Sequence, residues 1–582
     1  MNIKTLTFGC AALAASMVQA ATVDFPKAGG DLASAADWGG ALPAATDTAQ
    51  VSKNGTYTLS TDVSFANLVS TASDALFDFT GHTVYPQTTQ WAVLMTEKNT
   101  KLTVKGGTIQ VDNGQTALLQ GAANAQLVLD GVTLKGTHSG DYDFTVSGYS
   151  AGGVVVVSNK STITCRSLYA SVNGATGTRF EIVDGSKVYA DYRVRTCKGG
   201  TNGDAGGNII RISGTGSLLC YTGSRDFEIG FNHTDETVIV DDHGELDATG
   251  KTLSLGGGAI ACRAKLMLCN GATAKVGTLN GHSYDCALLV SNATFTATAF
   301  ALGDAAGNTG NTARFYNAKV SIPWTNPFGG KYASANTISL EGGTIVSPGN
   351  VNAMFYRETN CVLRISGAGT RFGMDGAEGN FYMGNKDDFA GQSSVSNTVY
   401  LGDGAVMDCC RFVLTQTGNQ LVIDNATLNL NGDDSVGFRC GYDGAPAITD
   451  KRGCKLVLKG AQPKLMSNST VGNTFLMQNE SILRFEIPAE GYPEGHVVIT
   501  AQYVKPSSDT TLEIDCAEWV EKTGGKLHLV HTRYMGAAEY NWWGAYDKLP
   551  EKARIVIENG EGGAADIYLK SPKRTGLSVI IR

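Results

Sequence analysis

The chain has 582 residues, among them 72 glycines and 13 prolines, with 17% charged residues and a net charge of −8. Glycine at that level without Gly-x-y triplets excludes collagen, and 42% apolar residues exclude a disordered chain. Low charge content argues against a soluble helical protein, and the acidic balance argues against nucleic acid as the main partner.

Residues 1–20 read as a secretory signal peptide. Met1 to Lys4 is a short positive start, Leu6 to Met17 is apolar and small, and Val18-Gln19-Ala20 prepares a cut before Ala21. Cys10 sits too near the start for a lipid-attachment site. The apolar stretch is too short to span a bilayer, and no later run has 18 uncharged apolar residues. The expectation is an exported chain, extracellular or at the cell surface or outer membrane, with no transmembrane segment after cleavage. Twelve of the 13 cysteines follow the signal, none in a Cys-x-x-Cys pair. They read as small buried apolar residues, with bridges between adjacent coils left open.

Residues 21–100 form an atypical opening, with Asp37-Trp38-Gly39-Gly40-Ala41-Leu42-Pro43, Asp47 and Asn54-Gly55, and are expected to cap a solenoid. Residues 101–487 repeat one pattern: alternating apolar positions, a Gly or Asn break, then another alternating pair. It reads Leu102-Thr-Val104-Lys-Gly106-Gly107-Thr-Ile109, and again Leu127-Val-Leu129-Asp-Gly131-Val-Thr-Leu134. Further copies start at Val155, Phe180, Ile210, Val238, Leu266, Leu288, Phe315, Ile338, Leu363, Val399, Leu421, Leu456 and Leu483, at intervals of 22 to 36 residues.

Alternation is the strand period, and Gly or Asn supplies the unusual backbone of a corner. A unit this short cannot bury its own apolar face, so the coils must stack. The expected fold is all-β, a right-handed parallel β-helix of about 14–15 coils and roughly 70 Å. A chain of β-sandwich domains would show linkers, and residues 100–487 contain none. Residues 488–582 lose the repeat and gain prolines and tryptophans, as expected of a C-terminal cap or small β domain.

The Trp38 to Pro43 motif with Asp47, ahead of Gly/Asn-cornered coils, resembles the opening of bacterial autotransporter passengers. That resemblance implies an exported surface β-solenoid, adhesive or structural. The chain departs from the family in having no recognisable C-terminal membrane β-barrel.

Right-handed β-helices also include polysaccharide lyases and hydrolases, which work with paired carboxylates or a basic residue. Asn431-Gly432-Asp433-Asp434-Ser435-Val436 is similar to the paired-aspartate segment of polygalacturonases, making Asp433 and Asp434 the catalytic candidates. The rest of that family's set is missing: Asn-Thr-Asp before it, Gly-His-Gly after it and a later Arg-x-Lys. Both aspartates therefore also read as turn residues. Asp241-Asp242-His243-Gly244 is a second acidic pair, at a corner. Neither a metal site nor a cofactor is expected: His528-Leu-Val-His531 has the wrong period for one strand face, and calcium rests only on Gly/Asp/Asn loops.

Tyr534, Tyr540, Trp542, Trp543 and Tyr546 crowd one short segment beside Arg533, Glu539 and Asp547. Aromatic faces with polar neighbours stack on sugars, and Trp542, Trp543 and Tyr546 are the ligand-binding candidates. If the segment is a strand, Trp542 and Trp543 point opposite ways. The functional expectation is a non-enzymatic adhesin or scaffold contacting extracellular glycans or surface proteins, with a polysaccharide-degrading enzyme as the alternative.

Overall fold

The computed structural model describes residues 21–87, 91–111, 117–136, 145–148, 150–172, 174–199, 204–225, 227–231, 233–257, 263–303, 308–324, 327–328, 333–346, 353–355, 358–373, 379–384, 395–432, 436–441, 453–467 and 474–573. The signal-peptide reading of residues 1–20 lies outside them. The chain is 55% strand and 4% helix, and it is a parallel β-helix.

Each coil contributes up to three strands. Lys101–Lys105 is followed by Thr108–Val111 and Ala117–Gln120, and the next coil repeats them as Gln126–Asp130, Thr133–Gly136 and Thr145–Gly148. Each strand pairs in parallel with its counterpart one coil on, Leu102 facing Leu127, Ile109 facing Leu134 and Leu118 facing Val146. The first-strand ladder has 19 strands and runs in chain order from Gly30–Asp31 to Thr511–Asp515.

Strand alternation explains the core. In Lys101–Lys105 the outward residues Lys101 and Lys105 are exposed while Leu102 and Val104 are buried. Register stacks Leu102, Leu127, Val155, Phe180 and Ile210 into one column. Burying a large apolar residue of this kind stabilises the fold by about 1.5–3 kcal/mol, and the buried column runs from Ala75 to Leu512. Deeper along the chain the third strands carry an aromatic stack: Phe381 on Phe412 at 4.8 Å, and Phe438 on Phe475 at 4.9 Å.

Left-handed backbone occurs at two corners of the coil. One follows the first strand, at Asn159, Asp184, Asn270, Asn292, Asn317 and Asn425. The other precedes it, at Asn99, Asn124, Asp235, Asp285, Ala335 and Asn360. Asn and Asp tolerate this region because their short polar side chains bond locally. Immediately after the second corner a polar residue turns inward. Asn311 Oδ1 accepts from Cys286 N at 2.8 Å, and Asn336 Oδ1 accepts from Asn311 N at 2.9 Å. Asn419 Oδ1 accepts from Asn397 N at 2.9 Å in the same way. These buried amides satisfy the main chain where it leaves the strand ladders.

Ladder pairing already includes Thr22–Asp24 and continues to Gly525–Tyr534, so the coils extend beyond residues 101–487 on both sides. The end is closed by α1 (Ala517–Lys522), α2 (Ala537–Gly544) and two strands, Arg554–Asn559 and Ala565–Ser571. Ala565–Ser571 runs antiparallel to Gly525–Tyr534 and to Arg554–Asn559. Of eleven described cysteines, nine are buried and none is in a disulfide, although Cys440 and Cys454 place their Sγ atoms 2.9 Å apart.

Candidate functional site

Among the described residues, charged and aromatic side chains gather on the flank of the solenoid where two long strands, Thr162–Val172 and Lys187–Lys198, turn a corner. Cys165 pairs with Ala190 but Ser167 pairs with Arg193, so the second strand carries one extra residue there. This bulge leaves Asp191, Tyr192 and Arg193 all outside the core, where strict alternation would bury one of them. The Tyr192 carbonyl is held by Tyr221 Oη at 3.0 Å and by Arg225 N at 3.2 Å.

Around the Tyr192 ring stand three guanidinium groups from three successive coils. Arg166, Arg193 and Arg225 place Cζ at 4.9, 5.4 and 6.0 Å from the ring centroid. Arg225 Nε lies 3.4 Å from Tyr192 Oη. Among the described residues, no carboxylate forms an ion pair with Arg166 or Arg193, and the Nε atom of each is buried without an acceptor. Two residues along from Arg193, Arg195 is matched by Glu228 and covers the Phe231 ring at 3.8 Å. In a chain of net charge −8, the unmatched guanidiniums of Arg166 and Arg193 beside the Tyr192 ring have the chemistry to accept an anion with a flat or apolar face.

A second set of chemical groups is buried directly behind this corner. Cys197 Sγ lies 3.4 Å from His233 Nε2, and His233 Nδ1 lies 3.9 Å from Glu236 Oε1. The order resembles a thiol–imidazole–carboxylate relay, but all three residues are closed off from solvent. Burial pushes the Cys197 thiol up to about 11, so it is protonated at neutral pH. A nucleophilic cysteine requires the opposite shift. Glu236 Oε1 instead accepts from Asn208 Nδ2 at 2.8 Å, which ties the relay into the inward amide row.

At the C-terminal end, two adjoining grooves of about 340 and 320 Å³ share Met535, Gly536 and Gly563. Tyr503, Lys505, Tyr534 and Glu539 line one, and Tyr540, Asn541 and Asn559 line the other. Tyr534 stacks on Tyr503 at 5.1 Å yet remains 46% exposed, and Tyr540 is 43% exposed.

Against known proteins, the chain matches no family model, no curated protein and no solved structure.

The tryptophan segment is helical, in α2, rather than a strand. Trp543 is fully buried against Phe485 at 6.4 Å. Trp542 is half-buried, and its Nε1 donates to Thr510 O at 3.2 Å. Tyr546 Oη accepts from Ile514 N at 3.0 Å. Thr511–Asp515 is the last strand of the first ladder, so Trp542 and Tyr546 meet the backbone of its open edge. The exposed rings of the same aromatic cluster are Tyr534 and Tyr540.

Asp433 and Asp434 lie outside the described residues. Asp241 is held by Arg211 Nη2 at 2.7 Å, while Asp242 and His243 occupy left-handed corner positions. The Tyr192 cluster escaped sequence reasoning because Arg166 and Arg225 stand 26 and 33 residues from Tyr192 along the chain and Arg193 lies on a bulge. Its only sequence trace is Arg193 and Arg195 flanking Val194 beside Tyr192, which also fits an ordinary outward strand face.

Proposed function

We propose that the protein is an exported, non-enzymatic β-solenoid of the autotransporter-passenger kind, acting as a surface adhesin or scaffold that holds acidic glycans. The observation that carries this reading is the ring of Arg166, Arg193 and Arg225 around Tyr192. Tyrosine offers an apolar face to a sugar ring, and the guanidiniums offer forked donors to its carboxylate or sulfate. A continuous apolar core through the coils supplies the rigid rod on which such a corner is displayed.

The test is binding of the secreted chain to an array of uronate-containing, sulfated and neutral glycans. Acidic glycans are expected to bind and to weaken as salt is raised. Arg193→Ala lowers affinity by about tenfold or more, in line with the loss of one charge-assisted contact. Retention on neutral glycans only, or an unchanged affinity in Arg193→Ala, overturns the reading.

The second reading, β-elimination in a polyuronate, is favoured by Tyr192 Oη lying 3.4 Å from Arg225 Nε beside unmatched guanidiniums. In that step an arginine would neutralise the uronate carboxylate, and Tyr192 Oη would take the proton alpha to it as base. The freed electron pair would form the double bond, and the glycosidic C–O bond on the next carbon would break, its oxygen leaving with a proton from solvent. Accumulation of unsaturated product with the wild-type chain, and its loss in Tyr192→Phe, would establish the enzyme in place of the adhesin.

A further inference from the structure

The strand Gly525–Tyr534 follows the solenoid corner with burial that departs from strict alternation. Leu529 and Val530 are consecutive buried residues, so His528 and His531 both remain on the outer side. Register confirms the irregularity: His528 pairs with Tyr568, Val530 with Ile567 and His531 with Asp566. Two histidines three residues apart thus share a face, which a regular strand forbids. This corrects the expectation drawn from the His528-Leu-Val-His531 spacing.

The face they share carries a carboxylate. Asp566 Oδ1 lies 2.9 Å from His528 Nε2 and 2.7 Å from His531 Nδ1. One ligand atom from each of the three residues falls within 4.8 Å of the others. The side chains are 19%, 40% and 31% exposed for His528, His531 and Asp566, so the cluster opens to solvent on one side. The Tyr568 ring packs on His528 at 4.5 Å and walls the other side. The nearby cations are already matched: Lys526 and Lys570 pair with Glu558 at 2.9 and 2.8 Å.

We propose that His528, His531 and Asp566 bind one divalent transition ion of the zinc class, which clamps the C-terminal strand Ala565–Ser571 onto the last coil. Two imidazoles and one carboxylate are ligands of the right chemistry, and three protein ligands leave a fourth position for water. Tetrahedral bonds of about 2.0–2.1 Å place ligand atoms about 3.3 Å apart. The two separations from Asp566 Oδ1, 2.9 and 2.7 Å, need to open by about 0.4 and 0.6 Å. The histidines come from the last coil and the aspartate from the antiparallel strand that closes it. An ion here therefore spans the junction between ladder and cap.

The experiment uses the full chain stripped of metal with a chelator, then titrated with zinc chloride by calorimetry and with cobalt(II) by visible absorption. One ion per chain is expected, with the intense visible band of four-coordinate cobalt and a rise in melting temperature. His531→Gln and Asp566→Asn each weaken zinc binding by about tenfold or more. His496→Gln, on a histidine outside the cluster, leaves it unchanged. Circular dichroism of the metal-free variants shows that they fold, and the zinc-dependent melting shift of the wild type is a readout independent of them. Absence of saturable binding in the wild type, or binding unchanged in both cluster variants, overturns the proposal.

Discussion

At the level of single residues, the corners show which backbone positions carry strain. Ala335 occupies the left-handed region with φ 53, at a position where the coils on either side use Gly310 and Asn360. Left-handed backbone costs an L-residue with no local hydrogen bond roughly 1 kcal/mol. Ala335 is exposed, so no core contact opposes a change. Ala335→Gly is expected to stabilise the protein by about 1 kcal/mol, read as a higher midpoint in chemical denaturation; the gain is reduced by the greater freedom of glycine when unfolded. A second residue-level effect concerns pH. Burial holds the His496 imidazole below its usual 6.5, against the bond to the Pro463 carbonyl at 2.9 Å, and Lys464 adds repulsion. The unfolded chain then takes up the proton more readily than the folded one. The stability His496 contributes is complete above 6.5 and is lost as pH falls through its folded value. Denaturation midpoints measured on both sides of that window should fall less steeply in His496→Gln; an equal fall assigns the pH dependence to other groups.

At the level of the coil, the two corners differ in how they are written. The corner after the first strand follows an alternating apolar pair, so Asn292 and Asn425 stand out in the sequence as breaks in a rhythm. The corner before it follows loops of varied length and has no such frame. The inward row after that corner was hidden for a related reason: Asn311, Asn336 and Asn397 look like loop residues although all are buried. Asn311 accepts from Cys286 N and donates to Leu302 O at 2.6 Å, so Asn311→Ala removes two buried hydrogen bonds. The expected loss is roughly 2–3 kcal/mol, because Cys286 N loses its side-chain acceptor. Hydrogen exchange should localise the change to the coils around residue 311, since stacked repeats communicate mainly with their neighbours. The same limit explains the register error at Phe315. The residue stacked between Leu288 and Ile338 is Ala313, whose small side chain does not mark the start of an apolar pair as Phe315 does. The bulges at Tyr192 and His528 were illegible because they break the period that reveals strands.

For the whole molecule, stacking is legible and closure is not. Repeated apolar pairs announce a solenoid, whereas nothing in the spacing of Trp542, Trp543 and Tyr546 says that a helix lays them across the final coil. An open parallel ladder ends in unpaired backbone groups that invite another chain to pair. Here Trp542 Nε1 bonds to Thr510 O, just before the last first-ladder strand, and Tyr546 Oη to Ile514 N within it, while Trp543 anchors α2 beside Phe485. The second edge is finished by reversing direction: Ala565–Ser571 pairs antiparallel with Gly525–Tyr534. Trp543→Ala leaves a cavity expected to cost about 3–5 kcal/mol at a site that supports the closure. The central coils have their own neighbours and should remain folded, so far-ultraviolet circular dichroism changes little at low temperature. The freed edge should instead self-associate, giving concentration-dependent dimers and larger species by light scattering. Tyr546→Phe keeps the ring and removes only one edge bond, and is expected to associate much less. Equal association in the two variants, or a monomeric Trp543→Ala chain, would mean that the edge is protected by other contacts than α2.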